Sequence, residues 1–172
     1  MSTRQILLMR HAKSDWGDRS LSDHERPLNL RGLHDAPRMA HWLATNDLIP
    51  DLILCSTAVR ARETVDLMMK CWSGSTKLVH LSDLYLAVPE TIIEIIAQNG
   101  DGACRVMVMA HNPGISAAVG AMTQHFHQMP TAAVAVIDVQ CEAWRDLKAD
   151  GKSVLMLEMR PKALPADDDE SR

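Results

Sequence analysis

Five apolar runs, Gln5–Met9, Leu52–Cys55, Arg105–Ala110, Ala132–Val139 and Val154–Met159, constrain this chain most, because polar residues hardly alternate within them. A strand with water on one face alternates apolar and polar side chains, so runs that do not alternate read as strands covered on both faces. Between the runs, apolar residues recur three and four apart: Leu33, Ala36, Ala40 and Leu43, then Ala61, Val65 and Met68, then Ile92 and Ile96. That spacing puts one buried stripe on a helix. Strands alternating with helices predict a mostly parallel central sheet between two helical layers, a three-layer α/β/α sandwich. Pro89 and Glu90 before Thr91-Ile92-Ile93 suit a helix start, and Asn99-Gly100-Asp101-Gly102 a turn rather than a phosphate loop.

The chain has 172 residues, 47% of them hydrophobic, enough for one core and short for two. A single domain is expected over 1–163, followed by an acidic tail, 164–172, whose Asp167-Asp168-Asp169-Glu170 run lacks apolar anchors and should fray. A net charge of −4 without any dense Lys/Arg run argues against nucleic acid as a partner. The first apolar run holds four residues before Arg10, too short for a signal-peptide core or a membrane span. Cys55, Cys71, Cys104 and Cys141 form no CxxC pair, which suits reduced thiols and a cytoplasmic location.

Ligands of open parallel sheets bind beyond the carboxyl ends of the strands, and three of these strand ends carry chemistry. Arg10 and His11 fall where the first run gives out. After the second run, Ser56-Thr57 leads into a helix with Arg60 in its first turn. After the third, His111 is followed by Asn112-Pro113-Gly114 and another helix, whose first amides favour an anion. Two arginines and two histidines are thereby delivered to one side of the sheet, provided the strand order brings them together.

Arg10-His11 with Ser14, then Ser56-x-x-x-Arg60-Ala61-x-x-Thr64, then His111-Asn112-Pro113 resemble, in order and spacing, the three signatures of the histidine phosphatases. Met9-Arg10-His11-Ala12-Lys13-Ser14, Arg26-Pro27-Leu28 and Asp51–Thr64 are most similar to the compact bacterial branch, the SixA-type phosphohistidine phosphatases. The resemblance, which runs from about Ile6 to Gly114, implies a phosphoglycerate mutase-like fold without a large cap. It also implies that His11 is the nucleophile, that Arg10, Arg60 and His111 surround the phosphoryl group, and that Arg26 is an additional substrate contact. No metal and no other cofactor is implied. A phosphoryl transition state spreads negative charge over three equatorial oxygens, which cationic donors stabilise. The nucleophile must be a neutral imidazole whose non-attacking nitrogen holds its proton against an acceptor. Positive charge from Arg10 and Arg60 should keep His11 neutral, whereas His111 needs a bound phosphate to stay charged.

Several residues admit plainer readings. His125-x-His127 has metal-binding spacing for a strand but follows a helical pattern, where residues two apart do not share a face. His24, His34, His41 and His80 read as solvated or capping, and Arg62 as pointing away from Arg60. Most of the eleven methionines are explained by core packing.

Relatives with a large cap carry in it an acid that protonates an alcohol leaving group. Here Arg60 to His111 leaves little spare chain, so the site should be shallow and open. Such a site suits phosphohistidine on a protein, whose nitrogen leaving group needs less help from an acid. The alternatives are a phosphomonoesterase on small esters, with Asp83 or Glu90 as the acid, and a non-catalytic phosphate- or phosphohistidine-binding module, against which retention of His11 argues. Many members read Arg-His-Gly-Glu-Ser-x-Trp-Asn where this chain has Ala12, Lys13 and Gly17, which puts mutase or sugar-phosphatase chemistry in doubt. A monomer is compatible with all three readings.

Overall fold

The structure, a computed structural model, describes residues 4–166; the Asp167–Glu170 acidic run lies outside the described residues. Its centre is a six-stranded sheet of order β3-β2-β4-β1-β5-β6, built from β1 (Arg4–Arg10), β2 (Leu52–Ser56), β3 (Lys77–Leu81), β4 (Arg105–Ala110), β5 (Val134–Val139) and β6 (Val154–Met159). Strands β1 to β4 are mutually parallel, and only β5 runs against the others, because β6 pairs antiparallel to β5 in turn. The helices are α1 (Leu30–Thr45), α2 (Val59–Met69), α3 (Pro89–Asn99) and α4 (Gly114–Thr123).

Successive strand residues point to opposite faces, and both faces are dry. Leu7, Met9, Ile53, Cys55, Met107 and Met109 pack with Ala36, Met39, Ala40 and Leu43 of α1 and Val65 and Met68 of α2. Ile6, Leu8, Leu54, Val106 and Val108 pack on the other side with Ile92 and Ile96 of α3 and Ile115 and Val119 of α4. Two apolar layers around one sheet explain why the central runs show no alternation. The three-layer α/β/α architecture is therefore the one the apolar runs imply.

The edges differ from expectation. Strand β6 is not covered on both faces: Val154 and Met156 are exposed at the sheet edge. Lys77–Leu81, which apolarity alone does not identify as a strand, forms the opposite edge, where Lys77 and His80 face solvent. The fourth run starts as a strand at Val134 rather than Ala132, because Ala132 adopts a positive φ of 61° and its N–H turns back to the Arg10 and His11 carbonyls. Beyond residue 163, Leu164 packs on the core and the Pro165 carbonyl accepts a hydrogen bond from Arg38.

The sheet's two ends are closed differently. At the amino ends of the parallel strands, Asp51 Oδ2 accepts from the Cys104 and Arg105 amides, both at 2.8 Å. Arg105 in turn donates to Gln5 Oε1 at 2.8 Å and the Ile49 carbonyl at 3.0 Å. The carboxyl ends carry the cluster described next.

Candidate active site

Register places the two histidines side by side. Arg10 pairs with Ala110 in the parallel β1–β4 ladder, so the next residue of each strand, His11 and His111, leaves the sheet at the same level. The His11 amide donates to the Ala110 carbonyl at 3.2 Å, and the ring centroids lie 5.0 Å apart. Strand β2, on the other side of β4, ends at Ser56, and one turn later Arg60 enters from the start of α2. The loop after His11 is pinned from two sides. The Ala12 amide donates to Thr64 Oγ1 at 3.1 Å, and a side chain at Gly32 of α1 would collide with the Lys13 carbonyl. A side chain at Gly114 would likewise collide with the Ala87 carbonyl, so the turn after His111 needs glycine to sit this close to the 84–88 segment.

Hydrogen bonds fix the protons on both rings. His11 Nδ1 lies 2.7 Å from the Ala12 carbonyl, which can only accept, so Nδ1 carries the proton and Nε2 keeps a lone pair. Arg60 Nε donates to that lone pair at 3.1 Å. A guanidinium can only donate, so His111 Nδ1 accepts from Arg60 Nη2 at 3.2 Å and its Nε2 proton goes to Ser56 Oγ at 2.7 Å. Both imidazoles are neutral. Burial pushes His11 down to about 3; the Ala12 carbonyl opposes this, and Arg60, Arg10 and Arg26 reinforce it. The arginines therefore act as expected, but behind desolvation. Burial also takes His111 to about 3, with His11 and Arg60 adding to it and Asp23 opposing. Neutral His111 agrees with the expectation that its charge awaits a phosphate.

Arg10, Arg60 and Arg26 converge with the histidines on a cavity of about 270 Å3. Arg10 donates through Nη1 to the Met129 carbonyl at 3.1 Å, while its buried Nε has no hydrogen-bond partner. Burial, with the neighbouring Arg60, lowers the Arg10 pKa below its usual value. Arg26 is buried: Nη1 donates to Ser14 Oγ at 2.6 Å, and Trp16 covers the guanidinium, 3.4 Å from ring centre to Cζ. Arg62 is exposed, as its spacing from Arg60 implies.

Sequence reasoning missed Asp23, in a 3-10 turn at Asp23–Glu25. Its Oδ1 accepts from Arg26 Nη2 at 2.9 Å and Nε at 3.2 Å; its Oδ2 accepts from Arg60 Nη2 at 3.0 Å and Tyr85 Oη at 2.6 Å. Burial opposes ionisation of this carboxyl, but Tyr85, Arg26 and Arg60 together hold it well below the usual carboxylate range. The available signal was the Ser22-x-x-Glu25 capping box immediately before Arg26-Pro27-Leu28, which marks an ordered turn there. His24, read as merely solvated or capping, is half-buried instead: Nε2 lies 2.9 Å from Thr57 Oγ1, and the ring meets the Tyr85 edge. Asp83 and Glu90 are exposed and do not line the cavity. His125 and His127 are exposed, and His127 Nδ1 lies 3.7 Å from Glu158.

Three guanidiniums around a neutral imidazole whose Nε2 lone pair accepts only from Arg60 suit capture of a tetrahedral oxyanion and in-line attack on its central atom. Residues 6–85 match the model of the histidine phosphatase superfamily (branch 1). The chain belongs to the histidine phosphatase superfamily, in its SixA-like branch. As a member of this superfamily it hydrolyses phosphate groups. Among the relatives is an uncharacterised protein of Mycobacterium tuberculosis, 34% identical over 152 residues, covering 81% of this chain and 92% of the relative. Two solved histidine phosphatases named as SixA superpose closely. That from Nakamurella multipartitia has a TM-score of 0.83 at 26% identity, covering 95% of this chain and 99% of its own. That from Agrobacterium tumefaciens has a TM-score of 0.80 at 29% identity, covering 92% and 98%.

Proposed function

We propose that this histidine phosphatase removes phosphate from phosphohistidine on a protein, through a phosphohistidine formed on its own His11. The Nδ1–H bond to the Ala12 carbonyl carries the reading, because it leaves Nε2 as the nucleophile within the cationic cavity. Nε2 attacks phosphorus and the P–N bond to the substrate imidazole breaks, its electron pair returning to the leaving ring. Water then attacks the phosphorus on His11, releasing inorganic phosphate and regenerating the imidazole. Arg10, Arg26 and Arg60 stabilise the equatorial oxygens, and His111 donates to one once the phosphate charge has raised its pKa.

The carboxylates support a nitrogen leaving group. An alkoxide needs a proton from an acid, yet the only carboxyl among the cavity-lining residues is Asp23, which its partners keep ionised. A phosphohistidine ring already protonated on its other nitrogen leaves as neutral imidazole without that help. The rim fits a protein surface as well: Trp16 and Leu86 line the cavity while 66% and 54% exposed.

The test offers a phosphohistidine-bearing protein domain and a panel of small phosphate esters to wild type and His11→Ala, following phosphate release and acid-labile labelling of the enzyme. Faster turnover of the protein substrate with labelling lost in His11→Ala is expected. Turnover of small esters alone, abolished by Asp83→Asn or Glu90→Gln, would replace this reading with the phosphomonoesterase one.

A further inference from the structure

Arg60 is 2% exposed, and every nitrogen of its guanidinium is engaged. Nη1 donates to the Asp23 carbonyl at 2.6 Å, Nη2 to Asp23 Oδ2 and to His111 Nδ1, and Nε to His11 Nε2. One residue, Asp23, thus holds both terminal nitrogens, through its main chain and its side chain. A planar group fixed at two corners has its third aimed, here at the His11 lone pair. Oδ2 is itself held by Tyr85, whose ring meets the His111 ring edge-on at 5.4 Å, and Oδ1 by Arg26.

We infer that Asp23 is a positioning residue for phosphoryl transfer, holding the Arg60 guanidinium across the two histidines with Tyr85 as its backing. The inference rests on the phosphatase reading of His11 and adds to it a residue outside the three signatures. A purely structural ion pair is the competing account: the Arg60 side chain is 3% and that of Asp23 42% exposed, so the pair is half-buried and also helps hold Arg60 in the fold. What the contact supplies beyond that is direction. As Nε2 moves onto phosphorus it can no longer accept from Arg60 Nε, and that N–H passes to a phosphoryl oxygen while Asp23 keeps the other two nitrogens in place. The carboxylate also offsets one of the three guanidinium charges, which limits how tightly the product phosphate is retained.

Asp23→Asn keeps the shape and removes the charge. Expected is a fall in kcat of about tenfold or more, with inhibition by inorganic phosphate unchanged or tighter. Asp23→Glu should recover part of the rate, and Tyr85→Phe should lose about threefold. A readout independent of turnover is the Arg60 Nε–H signal in 1H–15N spectra, which should be protected from solvent exchange in wild type and lose that protection in Asp23→Asn. A wild-type-like kcat and a protected Nε–H in Asp23→Asn would overturn the proposal. So would a loss in kcat matched by equal weakening of phosphate binding and a lower Tm, the pattern of a structural defect. A wild-type enzyme that turns over no phosphorylated substrate would sink the phosphatase reading, whereas a wild-type-like Asp23→Asn enzyme sinks only this one.

Discussion

The two ends of the sheet use the same chemical parts to opposite effect. At the amino end, Asp51, Arg105, Gln5 and Asp138 bond one another and the neighbouring backbone, and the result is a clamp that ties β1 to β4 and β5 and to the start of β2. At the carboxyl end, three guanidiniums meet one carboxylate and two histidines are held neutral; a buried arginine Nε lacks a partner at each end, on Arg4 at the amino end and on Arg10 at the carboxyl end. Matched polar groups stabilise, and mismatched ones are costly unless a ligand completes them. The mismatch is what an anion would relieve.

The sharpest way to separate the two ends is His11→Ala. Loss of the nucleophile should cost about 10⁴-fold or more in turnover, with Tm unchanged or raised because a buried polar ring is removed. A thermal melt and a phosphate-release assay on the same preparation check both halves. Arg60→Lys should cost about 10²–10³-fold in kcat/KM, since an ammonium cannot span two histidines and Asp23 at once; kinetics on the preferred substrate measure it.

Acid should reach the carboxyl end first. Burial pushes both histidines down to about 3 in the fold, against about 6.5 for a solvated imidazole, so between these limits the unfolded chain binds more protons. Their contribution to stability is full above about 6.5 and is lost as pH falls from there towards 3, by up to about 1.4 kcal/mol per pH unit for each ring. Urea unfolding from pH 7 to pH 4.5 measures the loss. Added inorganic phosphate should slow it, because the anion favours charged His111 and binds only the fold. A stability indifferent to pH over that interval would contradict neutral rings. The smallest effect belongs to the amino end: Asp51→Ala should lower stability by about 1 kcal/mol and leave kcat untouched. A change in kcat would show that the clamp reaches the site.

The contrast also explains what could be read from the sequence. Central strands were legible because burial on both faces erases polar alternation, as in Ile6–Met9 and Val106–Ala110. Edge strands were harder: β3 looks too polar and β6 looks more buried than it is, because an edge owes its pairing to a single neighbour. Arg10, His11, Arg60 and His111 could be picked out because each lies at a strand end or within the turn after one, and the structure gathers them on one cavity. Asp23 could not be placed by that logic. It lies in a loop whose position depends on Ser14 pairing with Leu28 and Arg26 folding back onto Ser14, contacts that leave no periodic trace. His24 belongs to that same loop, and Tyr85 reaches it from the turn after β3.

The sheet order has a consequence for when activity can arise. Strand β4 is inserted between β1 and β2, which are separated by it in space although they precede it in the chain. Until residues 105–111 are made, His11 has neither its neighbouring imidazole nor the strand that fixes its distance from Arg60. A growing chain carries the first two signatures long before it carries a site. Catalysis therefore cannot begin before β4 is seated against both β1 and β2, and turnover in a translation experiment would require that seating as well as the chain already made.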